Sequence, residues 1–457
     1  MKKAFGLGLL LLSTLPASAG VLENRLAEAV RNNDTVAIKA LLAKHADVNA
    51  PLPDKSTALS WAVDRQNAQS VDMLLAAGAK PNIADVDGAS PLTLACERGD
   101  PQIVASLLKV GADANAARLD GIEALALCAG SSSPEALGLL IDKGAKVEAA
   151  DPEGQTALMW AAARGRTDNI AFLIAHGANV NAVSSGGFTP VFFALRSKVP
   201  SASLALLDAG ANPKSVLKDG TSVVAAAVAN DNVPFAMAVV SRGADLTQRD
   251  SQGRQLIHVA AASGNAELIK TVLSKGVDVN ALTQPPPEAP PAPAPVQVAG
   301  GGSKIARADG TRPPPPPPVS KPPMVFAAEA GSADALKALV EGGAKVNVKA
   351  ADGTTVALAA AGSGNLDAMK YVLQLDPDLS AIGPEGKSIM HYAIANKNPD
   401  LAIPMLQYLA DKGAKLDVKN TKGDTPGDFI NRGGQQDIRI FYIALLKEHG
   451  IVSDHDH

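Results

Sequence analysis

The pairing in this sequence best suited to chemistry is histidine beside carboxylate, and it falls in the last four residues, Asp454-His455-Asp456-His457. Imidazole and carboxylate together can hold a divalent transition metal. A short tail has no neighbouring element to preorganise it, so no metal site is expected there. Gly383-Pro384-Glu385-Gly386-Lys387-Ser388 ends like a phosphate-binding loop. That loop needs four residues between its glycines to wrap backbone N–H groups around a phosphate, and here there are two. Gly362-Ser363-Gly364 lacks the third glycine of a dinucleotide fingerprint. No C-x-x-C, H-E-x-x-H or G-x-S-x-G occurs. No catalytic, cofactor-binding or metal-binding residue is therefore expected. An enzymatic or metal-binding reading would need a site of unrecognised type.

The elements that carry these residues repeat. Gly78-Ala79, Gly111-Ala112, Gly144-Ala145, Gly177-Ala178, Gly210-Ala211 and Gly243-Ala244 recur every 33 residues, and Gly276-Val277 continues the series. His45-Ala46 extends it upstream, and the phrase returns at Gly343-Ala344 and Gly413-Ala414, with Asp376 in a degenerate copy between them. Each Gly follows an amphipathic stretch with apolar residues at helical spacing, the place of a left-handed C-cap. About ten residues on come turn dipeptides such as Asp87-Gly88, Asp120-Gly121, Asp219-Gly220 and Asp352-Gly353, and then a second short helix. Hydrophobic residues make up 46% of the 457-residue chain but aromatics only 3%. A core of Ala, Leu and Val suits closely stacked helices.

Gly154-Gln155-Thr156-Ala157-Leu158-Met159-Trp160-Ala161-Ala162 resembles the opening helix of an ankyrin repeat, and Gly177-Ala178-Asn179-Val180-Asn181-Ala182 its closing turn. Gly187-Phe188-Thr189-Pro190 carries the family's Thr-Pro start, and His258 and His391 match its helix-one histidine. The resemblance covers nearly all of residues 22–450. It implies an all-α solenoid of stacked helix-turn-helix units with hairpin fingers. It further implies that His258 and His391 bond neighbouring backbone, and that protein is bound through the hairpin tips and the short-helix face. Ser131-Ser132-Ser133-Pro134 and Ser197-Lys198-Val199-Pro200 replace the usual Gly turn, and Asn398 to Pro404 carries about four extra residues.

The expected organisation is a signal peptide at 1–19, repeats over 20–282, a Pro/Gly-rich disordered insertion at 283–322, repeats over 323–450 and a tail at 451–457. Lys2 and Lys3, the apolar stretch from Ala4 to Leu15 and Ala17-Ser18-Ala19 form the export pattern. No segment is long and apolar enough to span a membrane. A formal charge of -4 with no basic cluster disfavours nucleic acid. A periplasmic location is expected, with an extracellular one as the variant, and a monomer. Cys96 and Cys128 lie at neighbouring positions of adjacent repeats. Helix spacings of ~8–10 Å against the ~7 Å Cα limit of a disulfide lead to the expectation of two reduced core thiols.

The expected partner is another exported protein, bound or protected by the scaffold. The alternative is an immunity-type inhibitor of a toxin in the same compartment. The residue after the helix-one histidine position reads Trp61, Leu94, Leu127, Trp160, Phe193, Ala226, Val259, Phe326, Ala359 and Tyr392. This lane is either packing between helices or a row of apolar anchors. Trp61, Trp160, Phe193, Phe326 and Tyr392, with Arg118, Lys218 and Arg249 at hairpin tips, are the candidate protein-binding residues, and Leu119 and Asp250 are further variable tip positions that could make contacts.

Overall fold

In the computed structural model, residues 19–284, 320–433 and 435–451 are described. The expected signal peptide, most of the Pro/Gly-rich insertion and the His-Asp tail lie outside them. The described residues form 24 α-helices and five isolated antiparallel bridges, with no sheet. They divide into two compact units, residues 19–212 and 213–451.

Within each unit, short helices alternate in pairs. In most pairs the first helix spans seven or eight residues and the second nine, as in Pro91–Arg98 with Pro101–Lys109 and Val223–Ala229 with Val233–Ser241. Helices this short are marginal in isolation, so their ends and their packing must hold them. Ser90 and Asp100 cap the first pair, each accepting a backbone N–H of the first turn, and Asn232, Asn265, Ser332 and Asn365 do the same for later second helices. The cores are aliphatic: Leu92, Ala95, Ile103, Val104 and Leu107 are fully buried in one repeat, and Leu268, Ile269 and Val272 in another.

The closing glycines adopt the left-handed conformation that the sequence pattern requires. Gly177 has φ +92, and His45, standing where the other repeats have Gly, has φ 56. A Cβ added at Gly177 would meet nothing within 4 Å, so its replacement costs conformational energy alone. Gly177→Val should destabilise unit 19–212 by on the order of 1–2 kcal/mol, measured as a lower urea midpoint of tryptophan fluorescence; an unchanged midpoint would refute the cap.

Each departure from the repeat has its own local solution. Lys198 stands where other repeats place Gly and keeps φ 60. The Ser131–Ser133 turn has no left-handed residue. There Ser132 is extended, and the buried Asn169 of the next repeat donates to the carbonyls of Ala129 and Ser132 at 2.8 and 3.0 Å. The extra residues near Asn398 lengthen the second helix to Pro399–Asp411, 13 residues instead of nine. At the degenerate position Asp376 the chain leaves its helix extended, with φ -143.

The two cysteines are bonded to each other, which corrects the expectation of free thiols. Cys96 in Pro91–Arg98 and Cys128 in Ala124–Ser131 have Cα atoms 4.3 Å apart and are fully buried. The ~8–10 Å spacing belongs to helix axes. Backbones of radius ~2.3 Å leave roughly 4–5 Å between Cα atoms on facing sides, and small neighbours such as Ala95 and Ala129 permit the approach.

In unit 213–451 the helix pairs on either side of the insertion pack directly on each other. Ser332 Oγ donates to Gly264 O at 2.9 Å, and Lys270 pairs with Glu341 at 2.8 Å. Thr283 N–H donates to Lys321 O at 3.1 Å, so the two ends of the insertion leave the stack side by side.

Side-chain amides tie successive loops together. Asn82 Nδ2 donates to Gly111 O at 3.1 Å while its Oδ1 accepts the N–H of Asp113 at 2.9 Å. Asn49, Asn115 and Asn181 do the same for the loops that follow them. Glu148 makes only the accepting half, from Asn179 N–H at 2.9 Å, because a carboxylate has no N–H to donate.

Candidate protein-binding face

The first helices bring the lane residues to one face of each unit. In unit 19–212 the row is large and continuous: Trp61, Leu94, Leu127, Trp160 and Phe193. In unit 213–451 it mixes large and small: Ala226, Val259, Phe326, Ala359 and Tyr392. All five aromatic members are half-buried. Trp61 Nε1 donates to Ser56 Oγ at 2.9 Å, and the Arg31 guanidinium of the preceding repeat lies 4.0 Å from its ring centre. Trp160 packs toward Gly130, and its buried Nε1 has no partner among the described residues. Phe193 meets Phe188 edge-on at 6.1 Å. Phe326 meets His258 at 5.6 Å, and the Tyr392 hydroxyl lies 3.4 Å from Thr354 Oγ1. Most of these rings lean on the preceding repeat, so they are packing residues with one edge open.

The three cations at hairpin tips differ. Arg118 is half-buried and pairs with Asp120 at 2.6 Å and Glu97 at 3.6 Å. Arg249 donates through Nη1 to Gly253 O at 2.8 Å and Leu282 O at 3.0 Å, bridging two neighbouring loops. Lys218 is exposed.

Among the aliphatic side chains around those tips, the sequence reading named Leu119 as a contact and missed the others. Val86, Leu119 and Val183 in one unit, and Val216, Leu282 and Ile382 in the other, are exposed. Leu119 reaches 78% and Val183 63%. The spacing of Val183, Val216 and Leu282 in multiples of 33 was the available signal. Their recurrence at one repeat position sets them apart from singly scattered exposed residues.

His258 and His391 position the hairpins. Backbone N–H groups of Gln255 and Ser388 donate to their Nδ1 atoms at 3.1 Å. Their Nε2 atoms face the carbonyls of Ala281 at 2.9 Å and Asp424 at 3.2 Å, in the following hairpins. Burial lowers the His258 pKa from 6.5 to about 4, and burial lowers that of His391 as well. Gly383–Ser388 is a tight turn, with Gly383 N–H donating to Lys387 O at 2.9 Å. Among the described residues no three His, Cys, Asp or Glu side chains gather as a metal set, and no helix is long and apolar enough to cross a membrane.

A model of ankyrin repeats, three copies in length, matches residues 26–118, 93–184, 124–215, 192–283 and 324–420. Over 107 residues the chain is 34% identical to the E3 ubiquitin-protein ligase KEG of Arabidopsis thaliana, covering 23% of this chain and 6% of that protein. It is 30% identical over 101 residues to the potassium channel AKT1 of the same plant, 22% of this chain and 11% of the channel. It is also 30% identical over 79 residues to protein phosphatase 1 regulatory subunit 27 of Homo sapiens, 17% of this chain and 49% of that protein. The chain thus spans at most about half the length of these relatives. These matches cover most of the sequence, and the chain belongs to the ankyrin-repeat family.

Proposed function

We propose that this chain is an exported scaffold that binds another exported protein in the periplasm, with the hairpin edge as its contact surface. The observation that carries the reading is the row of solvent-facing aliphatic side chains at the tips, Leu119 and Val183 foremost. Their removal from water has no intramolecular outlet, and contact with a partner supplies one at roughly 25 cal/mol per Å². One relative is by its name a regulatory subunit of a phosphatase, a role exercised on another protein. Two observations support export: the basic and apolar pattern of residues 2–19, and the Cys96–Cys128 disulfide, a bond that persists in oxidising compartments.

The test is affinity capture of the tagged mature chain from its host's periplasmic extract, beside a Leu119→Glu, Val183→Glu variant. Both positions are exposed, so the variant should keep the wild-type circular dichroism. The expected result is a stoichiometric partner recovered by the wild type and reduced at least tenfold with the variant, equal to about 1.4 kcal/mol of binding energy. Equal recovery by both proteins would remove the tips from the interface. Recovery of nothing above background would sink the scaffold reading.

A further inference from the structure

In unit 213–451 the rung position Thr247 makes neither bond of the amide ladder. The series Asn49, Asn82, Asn115 and Asn181 reaches Thr247 two repeats after Asn181. By the spacing of the other rungs, residue 247 should bridge Gly276 O and Asp278 N–H. Thr247 does not reach them: its hydroxyl donates to Asp245 Oδ1 at 2.7 Å, and its backbone N–H goes to the same oxygen at 2.9 Å. Gly276 O and Asp278 N–H have no hydrogen-bond partner among the described residues. Between the two loops lies an open groove of about 790 Å³, lined by Asp245, Thr247, Arg249, Gln255, Gly276 and Asp278 among others. That is within the ~300–1,000 Å³ typical of ligand sites. Its floor is held, since Arg249 donates to Leu282 O and Gln255 Nε2 donates to Thr247 O at 3.3 Å.

We propose that this groove binds the side-chain carboxamide of an Asn or Gln residue on a partner polypeptide. The chemistry comes from the molecule itself. At four other rungs a primary carboxamide joins a Gly carbonyl to an N–H two residues further on, accepting with its oxygen and donating with its nitrogen. At 276 and 278 the same acceptor and donor stand beside an open groove. A carboxylate satisfies only the N–H, as Glu148 shows, and an aliphatic side chain satisfies neither. The site therefore selects amide over acid and over hydrocarbon. This inference rests on the reading of the chain as a protein-binding scaffold. It concerns unit 213–451, whereas Leu119 and Val183 lie in the other unit, so the two can fail separately.

The test uses the full chain labelled with nitrogen-15 and three probes: N-acetyl-glutamine, N-acetyl-leucine and N-acetyl-glutamate, each as the N-methylamide. The expected result is a shift of the Asp278 amide resonance that saturates at millimolar glutamine probe and is at least tenfold weaker with the other two. Thr247→Asn should fill the rung from within and abolish the response, while Thr247→Val should leave the rung vacant and keep it. An equal response to the leucine probe, a response surviving in Thr247→Asn, or no response to any probe would overturn the proposal.

Discussion

Replacing Cys96 and Cys128 together by Ala should lower the stability of unit 19–212 by about 3–4 kcal/mol. The bond closes a segment of 32 residues, and the denatured chain regains that freedom once the link is gone. Alanine is the apt replacement. Both cysteines are fully buried, where a serine hydroxyl would add the cost of an unpaired polar group. Both tryptophans of the protein, Trp61 and Trp160, lie in this unit, so their fluorescence during urea unfolding reports on it. Reductant should reproduce the loss in the wild type only after unfolding begins, because neither sulfur is reachable in the folded unit. A double variant with the wild-type midpoint would show that the bond contributes nothing to stability.

The same bond shows where a one-dimensional reading runs out. Capping is local, since Ser90 and Asn365 act on N–H groups two or three residues away, but the sequence reading named only the closing glycines and not these N-caps. Left-handed turns were legible because Gly177 and its equivalents follow directly from steric limits on φ. Axis spacing alone, by contrast, does not say which faces of adjacent helices meet. Cys96 and Cys128 share the facing side, and that side depends on the rotation of both helices.

The candidate binding residues divide for a similar reason. Leu119 was legible as a tip residue next to the Asp120-Gly121 turn, whereas Val183 reads in sequence like a core valine and stood out only by its exposure. Arg249 read as a free cation at a tip, yet its Nη1 donates to Gly253 O and Leu282 O and ties two loops together. The vacant rung at Thr247 needs pairings across 29 and 31 residues, seen only where Asn49, Asn82 and Asn115 make them.

Acid should destabilise unit 213–451 through its two braced histidines. His258 Nδ1 accepts the Gln255 N–H, so protonating it would set one N–H against another in a fully buried site. Burial is the largest cause of its lowered pKa; Arg249 lowers it further, and the bond to Ala281 O and the charge of Asp250 act the other way. With a pKa of about 4 folded against 6.5 unfolded, the unfolded chain binds the extra proton between those values. Stability is then fully present above pH 6.5 and falls as the pH drops toward 4. The span corresponds to roughly 3 kcal/mol for His258, and His391, shifted in the same direction by its own burial, adds to the loss. Gln in the same helix position can still accept the backbone N–H of a capping box but does not titrate. The measurement is the urea midpoint of tyrosine fluorescence from pH 7 to 4, since all four tyrosines lie in this unit. The wild-type midpoint should fall steeply over that range and the His258→Gln, His391→Gln variant should be flatter. Equal slopes would assign the acid sensitivity to other groups.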